Sequence, residues 1–101
     1  MGDQPLRVKL YEYRGETSVF IDAEIREDGD LVVSGQDIGE APKRHFGDSD
    51  YEYWAVVSKE QKDRVLLALL EELLGGNSKA VSTFVDLMKA KGIPYEFDTW
   101  A

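Results

Sequence analysis

The spacing of apolar residues changes at Ser58, from a repeat of two before it to a repeat of about 3.6 after it. A chain patterned this way has to build a sheet from its first half and helices from its second. Leu6, Val8 and Leu10 alternate with Arg7, Lys9 and Tyr11, and Val19, Ile21, Ala23 and Ile25 alternate with Phe20, Asp22, Glu24 and Arg26. Both runs read as strands with one buried face. Arg14-Gly15-Glu16 separates them as a hairpin turn, and Tyr51 to Val57 is a further strand rich in aromatic and β-branched residues. Asp28-Gly29 marks a second hairpin before Leu31-Val32-Val33, because both positions accept positive φ. A two-residue loop there pairs Ile25 with Val32, and a three-residue bulged loop pairs Ile25 with Val33, so the inward face of the third strand stays open.

After Ser58 the helical pattern takes over. Ser58-Lys59-Glu60-Gln61 has the form of a capping box, in which the Ser58 hydroxyl accepts from the Gln61 backbone N–H. Val65, Leu66, Leu69, Leu70, Leu73 and Leu74 then form a wide stripe that Gly75-Gly76 ends. Asn77 or Ser78 starts a second helix with Val81, Phe84, Val85 and Met88 on one side, closed by Gly92 and Pro94. Tyr95 and Phe97 alternate with Glu96 and Asp98, which predicts a short C-terminal strand. The expected fold is a single α+β domain over residues 1–101. It is a two-layer sandwich: a mostly antiparallel sheet of four strands, with a short C-terminal strand, and a helical hairpin on one face.

Charge follows the same division. Residues 1–57 carry 6 basic and 13 acidic side chains, and residues 58–101 carry 6 and 7, within a total net charge of −8. An acidic strand half repels a phosphate backbone, so nucleic acid and anionic membranes are excluded as partners. The absence of Cys removes disulfides, CxxC redox pairs and thiolate nucleophiles. Met1 to Arg7 has no apolar run of the kind a secretory leader needs, and no run reaches the length of a membrane span, so the expected compartment is the cytoplasm.

The connection from Ser34 to Asp50 has no clear period and exceeds the usual length of a structureless loop, which makes it either a functional loop that clamps a ligand or partner or a surface excursion with Gly at its turns. Its Gly35, Gly39 and Gly47 form no phosphate-binding motif, and no cofactor is expected. Asp48, Asp50 and Glu52, two residues apart, are candidate oxygen ligands for a divalent cation, although Tyr53 stands where a calcium loop needs Gly. His45, near Asp37 and Ser49, lacks the nucleophile elbow of a hydrolase. The balance is against an enzyme.

The aromatic residues point elsewhere. If helices cover the face of Leu6, Val8, Leu10, Val19, Ile21 and Ile25, the opposite face collects Tyr11, Tyr13 and Phe20 with Asp22 and Glu24, and Trp54 when Tyr51 and Tyr53 turn inward. Aromatics rimmed by carboxylates suit a protein-binding surface, and Asp37 and His45 extend it into the 34–50 connection. The expected function is a non-enzymatic interaction module, inhibitor-like or immunity-like, for a protein partner with a basic surface. The alternatives are a metal-binding domain or metal-assisted enzyme using Asp48, Asp50 and Glu52, and a homodimer closed by the sheet face or the C-terminal strand.

Three segments also occur together: Ser34-Gly35-Gln36-Asp37-Ile38-Gly39, Asp50-Tyr51-Glu52-Tyr53-Trp54 and Lys91-Gly92-Ile93-Pro94-Tyr95-Glu96-Phe97. In this combination the chain resembles a family of small uncharacterised bacterial proteins of about this length. The resemblance implies a bacterial cytoplasmic domain and assigns no catalytic residue.

Overall fold

A computed structural model describes residues 6–100. The leader reading therefore falls partly on residues 1–5, outside that span. The fold is α+β, with a four-stranded antiparallel sheet followed by helices. The chain divides into two compact units, one running to Asp63 and one starting at Arg64.

The first unit is a meander of β1 (Leu6–Tyr13), β2 (Thr17–Ile25), β3 (Leu31–Gly39) and β4 (Asp50–Val57), paired in that order. Arg14-Gly15-Glu16 forms the first turn, as its composition requires, and the Gly15 N–H is 3.3 Å from Ser18 Oγ. The second turn differs from both sequence alternatives. Gly29 donates to Arg26 O at 2.9 Å and Arg26 donates to Asp30 O at 2.8 Å, which makes Glu27-Asp28-Gly29 a three-residue loop with Gly29 last, at φ 96°. Ile25 is therefore opposite Leu31. The Asp-Gly pair occupies the second and third loop positions, not the first and second, which shifts the register by two from the bulged alternative and keeps its facing. Leu31 and Val33 share a face with Ile25 and Ala23.

The 34–50 connection is not a structureless loop. β3 continues through Gly39, pairing with β2 as far as Thr17 and with β4 as far as Asp50. A short helix, α1 (Glu40–Phe46), fills the remainder and ends on Gly47, whose φ of 75° lets its N–H reach Lys43 O at 3.0 Å. Gly39 makes the strand-to-helix corner possible. It sits at φ 135°, and a Cβ there would lie 2.1 Å from Glu16 O. Its N–H donates to Ser49 O at 2.8 Å, Glu40 N–H to Glu16 O at 3.3 Å, and Ala41 N–H to Thr17 Oγ1 at 2.9 Å. The first turn of α1 is thus capped from the neighbouring strand, not from its own N-cap residue, which makes no side-chain bond.

The helix after β4 begins with a 3₁₀ turn over Lys59–Gln61 and continues as α2 (Lys62–Leu74). The expected Ser58 hydroxyl cap is replaced. Gln61 N–H donates to the Ser58 carbonyl at 2.9 Å, and Lys59 N–H donates to Asp30 Oδ1 at 2.9 Å. Lys62 Nζ reaches Gly29 O at 2.7 Å, so the second hairpin holds the start of this helix through the Asp30 carboxylate and the Gly29 carbonyl.

In the second unit, Gly75 and Gly76 end α2, and Asn77 Oδ1 accepts from Lys79 N–H at 2.9 Å ahead of α3 (Ala80–Lys91). Gly92, at φ 67°, closes α3 in a Schellman arrangement: Gly92 N–H donates to Lys89 O at 3.2 Å and Ile93 N–H to Met88 O at 2.9 Å. The expected C-terminal strand does not form. Residues 93–100 have no regular structure, and Tyr95 and Phe97 line a hollow of about 320 Å³ with Val85, Asp86 and Lys89 of α3. The Schellman turn sends the chain back along its own helix, and a period-two pattern without a strand beside it packs as irregular chain.

Candidate functional site: the polar face of the sheet

Register assigns the side chains of the first unit to two faces. One face carries Leu6, Val8, Val19, Ile21, Ala23, Ile25, Leu31, Val33, Tyr53, Ala55 and Val57, and by itself the sheet unit leaves its β1 end uncovered, with Leu6 66% exposed. The other face carries Arg7, Lys9, Glu12, Phe20, Asp22, Glu24, Val32, Gln36, Glu52, Trp54 and Val56.

Tyr11 and Tyr13 belong to the apolar face, contrary to expectation. The pairing of β1 with β2 slips between Lys9 and Tyr11, so Leu10 is an extra, unpaired residue. A bulge of this kind reverses the facing of everything beyond it. Tyr11 is then opposite Ile21 and Tyr13 opposite Val19, while Glu12 is opposite Phe20. The ion pair of Lys9 Nζ with Glu12 Oε1 at 2.5 Å, three residues apart, confirms that these two share a face across the bulge.

The remaining members of the expected set come together. Phe20, Asp22, Glu24 and Trp54 line a depression of about 360 Å³ with Arg7 and Arg26, and Val32 lies among them on the central strand. Val32, 1% exposed, is the fully buried hydrophobic side chain among the described residues. Trp54 beside it stands 61% exposed. Arg7 donates to Asp22 Oδ2 through Nη2 at 2.6 Å and Nε at 3.2 Å, and its Nη1 lies 3.9 Å from Glu24 Oε1. The hydrogen bond to the Asp22 carboxylate, helped by its charge, raises the Arg7 pKa above its ordinary value. Glu12 receives Lys9 and, at 2.7 Å, Arg14 Nε, and these two hydrogen bonds lower its pKa below the usual glutamate value. The Arg14 guanidinium also sits 5.2 Å from the centre of the Phe20 ring.

The face is therefore laced with cations on its β1 side and purely acidic on its β4 side. Asp50 and Glu52 lie opposite Ile38 and Gln36, and the Gln36 amide donates to Asp50 Oδ1 at 3.0 Å and to Glu52 Oε2 at 3.5 Å. Among the described residues neither carboxylate has a Lys or Arg in ion-pair contact. Asp48 does not join them. Its Oδ1 accepts from Asp50 N–H at 3.1 Å, a local turn that aims the carboxylate at backbone. No group of three His, Asp or Glu among the described residues is placed to hold a metal ion.

Asp37 and His45 lie elsewhere. Asp37 is on the apolar-face side, where the Tyr53 hydroxyl donates to its Oδ1 at 2.8 Å. That hydrogen bond, with desolvation and the Asp37 charge, raises the Tyr53 pKa above the ordinary phenol value. The Tyr53 ring covers Gly35, opposite it on β3, where a Cβ would come within 2.4 Å of the ring. His45 is in the last turn of α1, away from the depression.

No family model matches the chain. No curated protein and no solved structure matches it either. Among the described residues no helix is long and apolar enough to cross a membrane.

Arg7, Val32 and Gln36 were not among the sequence candidates. Arg7 had a legible signal, since an arginine on the polar phase of β1 faces Asp22 and Glu24 once the first hairpin is closed. Gln36 and Val32 had none, because their facing depends on the placement of the second turn.

Proposed function

We propose that this chain is a protein-interaction module and that the polar face of its sheet receives a basic segment of the partner. The observation that carries this reading is the half of the depression nearest β4. There an indole that is 61% exposed shares the lining with the Glu52 carboxylate, which together with Asp50, further along β4, is held by the Gln36 amide and, among the described residues, by no Lys or Arg. Tryptophan is the residue most enriched where binding energy concentrates, and its ring face attracts a cation. A lysine or arginine presented to this site gains both the ring and the carboxylates. On the β1 side the exposed ion pairs of Arg7 and Lys9 contribute little to stability and are free to exchange for a partner's charges. An inhibitor-like role, masking a basic surface, fits this geometry.

The test is titration of the intact chain with lysine- and arginine-bearing peptides, following the Trp54 indole resonance at low and high salt. Trp54→Ala and Glu52→Gln serve as variants. Expected is salt-sensitive binding that Trp54→Ala weakens by about 30-fold, the loss of a contact of about 2 kcal/mol. Binding that neither variant changes, or no shift of the indole with any basic peptide, overturns the proposal.

A further inference from the structure

The two edges of the sheet are built differently. β1 carries Arg7 and Lys9 and is broken by the bulge at Leu10, devices that discourage another strand from adding there. β4 has neither a bulge nor a basic residue, and its own charges, Asp50 and Glu52, are confined to its first half. Its eight residues pair with β3 in unbroken register from Leu31 opposite Val57 to Ile38 opposite Asp50, and they include no Pro, Gly, Lys or Arg. The Gly39 N–H bonds to Ser49 O, so in strict alternation residues 51, 53, 55 and 57 turn their backbone groups towards β3. The N–H and C=O of Glu52, Trp54 and Val56 then point outward along the open edge, while the Asp50 N–H is already taken by Asp48 Oδ1. Within the sheet unit no strand lies beyond them.

We propose that β4 pairs antiparallel with β4 of a second copy of this chain, extending two four-stranded sheets into one of eight strands. The distribution of charge along the strand selects this occupant and this direction. Both carboxylates, Asp50 and Glu52, are in its first half, and its second half, Trp54 to Val57, is entirely apolar. Antiparallel self-pairing about Tyr53 puts each carboxylate opposite an apolar residue of the other copy. Parallel pairing in register would stack Asp50 on Asp50 and Glu52 on Glu52, and like charges directly opposite are destabilising. A two-fold axis normal to the sheet also keeps both apolar faces on one side, so the pairing costs neither copy any burial it already has. This pairing goes beyond the peptide-binding proposal because the backbone of the edge makes it, although Glu52 and Trp54 take part in both.

Sedimentation equilibrium over a concentration series, with amide hydrogen exchange at each end of the series, tests it. Expected is a mass rising to twice that of the monomer. Protection of the Glu52, Trp54 and Val56 amides should appear only in the dimer, while those of Tyr53 and Ala55 are protected throughout. Glu52→Pro, which removes an outward donor that β3 does not use, shifts the equilibrium to monomer with an unchanged circular dichroism spectrum. A monomer at every concentration, or a dimer in which the Glu52 and Trp54 amides exchange freely, overturns the proposal.

Discussion

Gly39→Ala should be the most damaging single methyl that can be added to the sheet unit. Two costs add at this corner. The first is conformational, because φ 135° with ψ −144° is a backbone region that only glycine enters readily, worth about 1–3 kcal/mol. The second is steric. The new Cβ would lie 2.1 Å from Glu16 O, a backbone atom that can retreat only by moving the start of β2. That movement stretches the Glu40-to-Glu16 bond and disturbs the Thr17 cap on Ala41, each worth about 1 kcal/mol. The total is roughly 3–5 kcal/mol, a large part of the 5–15 kcal/mol of an ordinary small domain. Gly47→Ala is the internal control. Gly47 also has positive φ, 75°, but nothing lies within 4 Å of its Cβ position, so only a conformational cost of about 1 kcal/mol applies. Urea unfolding of both variants, followed by Trp fluorescence, gives the comparison directly. If Gly39→Ala loses no more stability than Gly47→Ala, the close approach of Glu16 to the corner is not what fixes this residue as glycine.

Three further outcomes follow from the side-chain geometry. Gly35→Ala displaces the Tyr53 ring and Tyr53→Phe removes the hydroxyl bonded to Asp37, each costing about 1–2 kcal/mol; in a double-mutant cycle the two should be markedly less than additive, and full additivity would mean that the ring does not rest on Gly35. Because the folded-state pKa of Tyr53 is raised, its contribution to stability is complete below the ordinary phenol pKa and is lost as pH rises through the folded value; ultraviolet titration should show one late-ionising tyrosine that disappears in Tyr53→Phe. Glu12 has the opposite sign. Its lowered pKa means a contribution present above the ordinary glutamate value and lost as pH falls through the folded one, and carboxyl NMR titration should find Glu12 ionising below the ordinary glutamate value and moving back towards it in high salt.

The order of strands and helices was legible from period alone, because a sheet face and a helix stripe impose different repeats on the same apolar residues. What period could not carry was phase. Asp28-Gly29 announced a turn, but the turn started one residue earlier, at Glu27, because Arg26 and Asp30 close it, and nothing local distinguishes that choice. The 34–50 segment looked aperiodic for a similar reason. Its strand half puts Gly35 and Asp37 on the apolar face, where the Tyr53 ring covers the one and its hydroxyl bonds the other, and Ile38 on the polar face, so no apolar repeat shows, and its helix is too short to show a stripe. The Ser58 hydroxyl cap failed because the helix opens as a 3₁₀ turn, in which the Ser58 carbonyl takes the Gln61 N–H that the hydroxyl was expected to accept. At the site, Phe20, Asp22, Glu24 and Trp54 were found because each lies on an uninterrupted stretch of strand. Tyr11 and Tyr13 were misplaced because they lie beyond Leu10.

That inserted leucine has a consequence for how such a chain can vary. Removing Leu10 would leave every other pairing of β1 with β2 in place, Lys9 opposite Asp22 and Tyr11 opposite Ile21, and with them the facing of both tyrosines and of Glu12. What such a single-codon deletion takes away is the bend and extra twist that a bulge gives its strand. The edge strand furthest from β4 can therefore lose or regain this residue without changing what either surface displays.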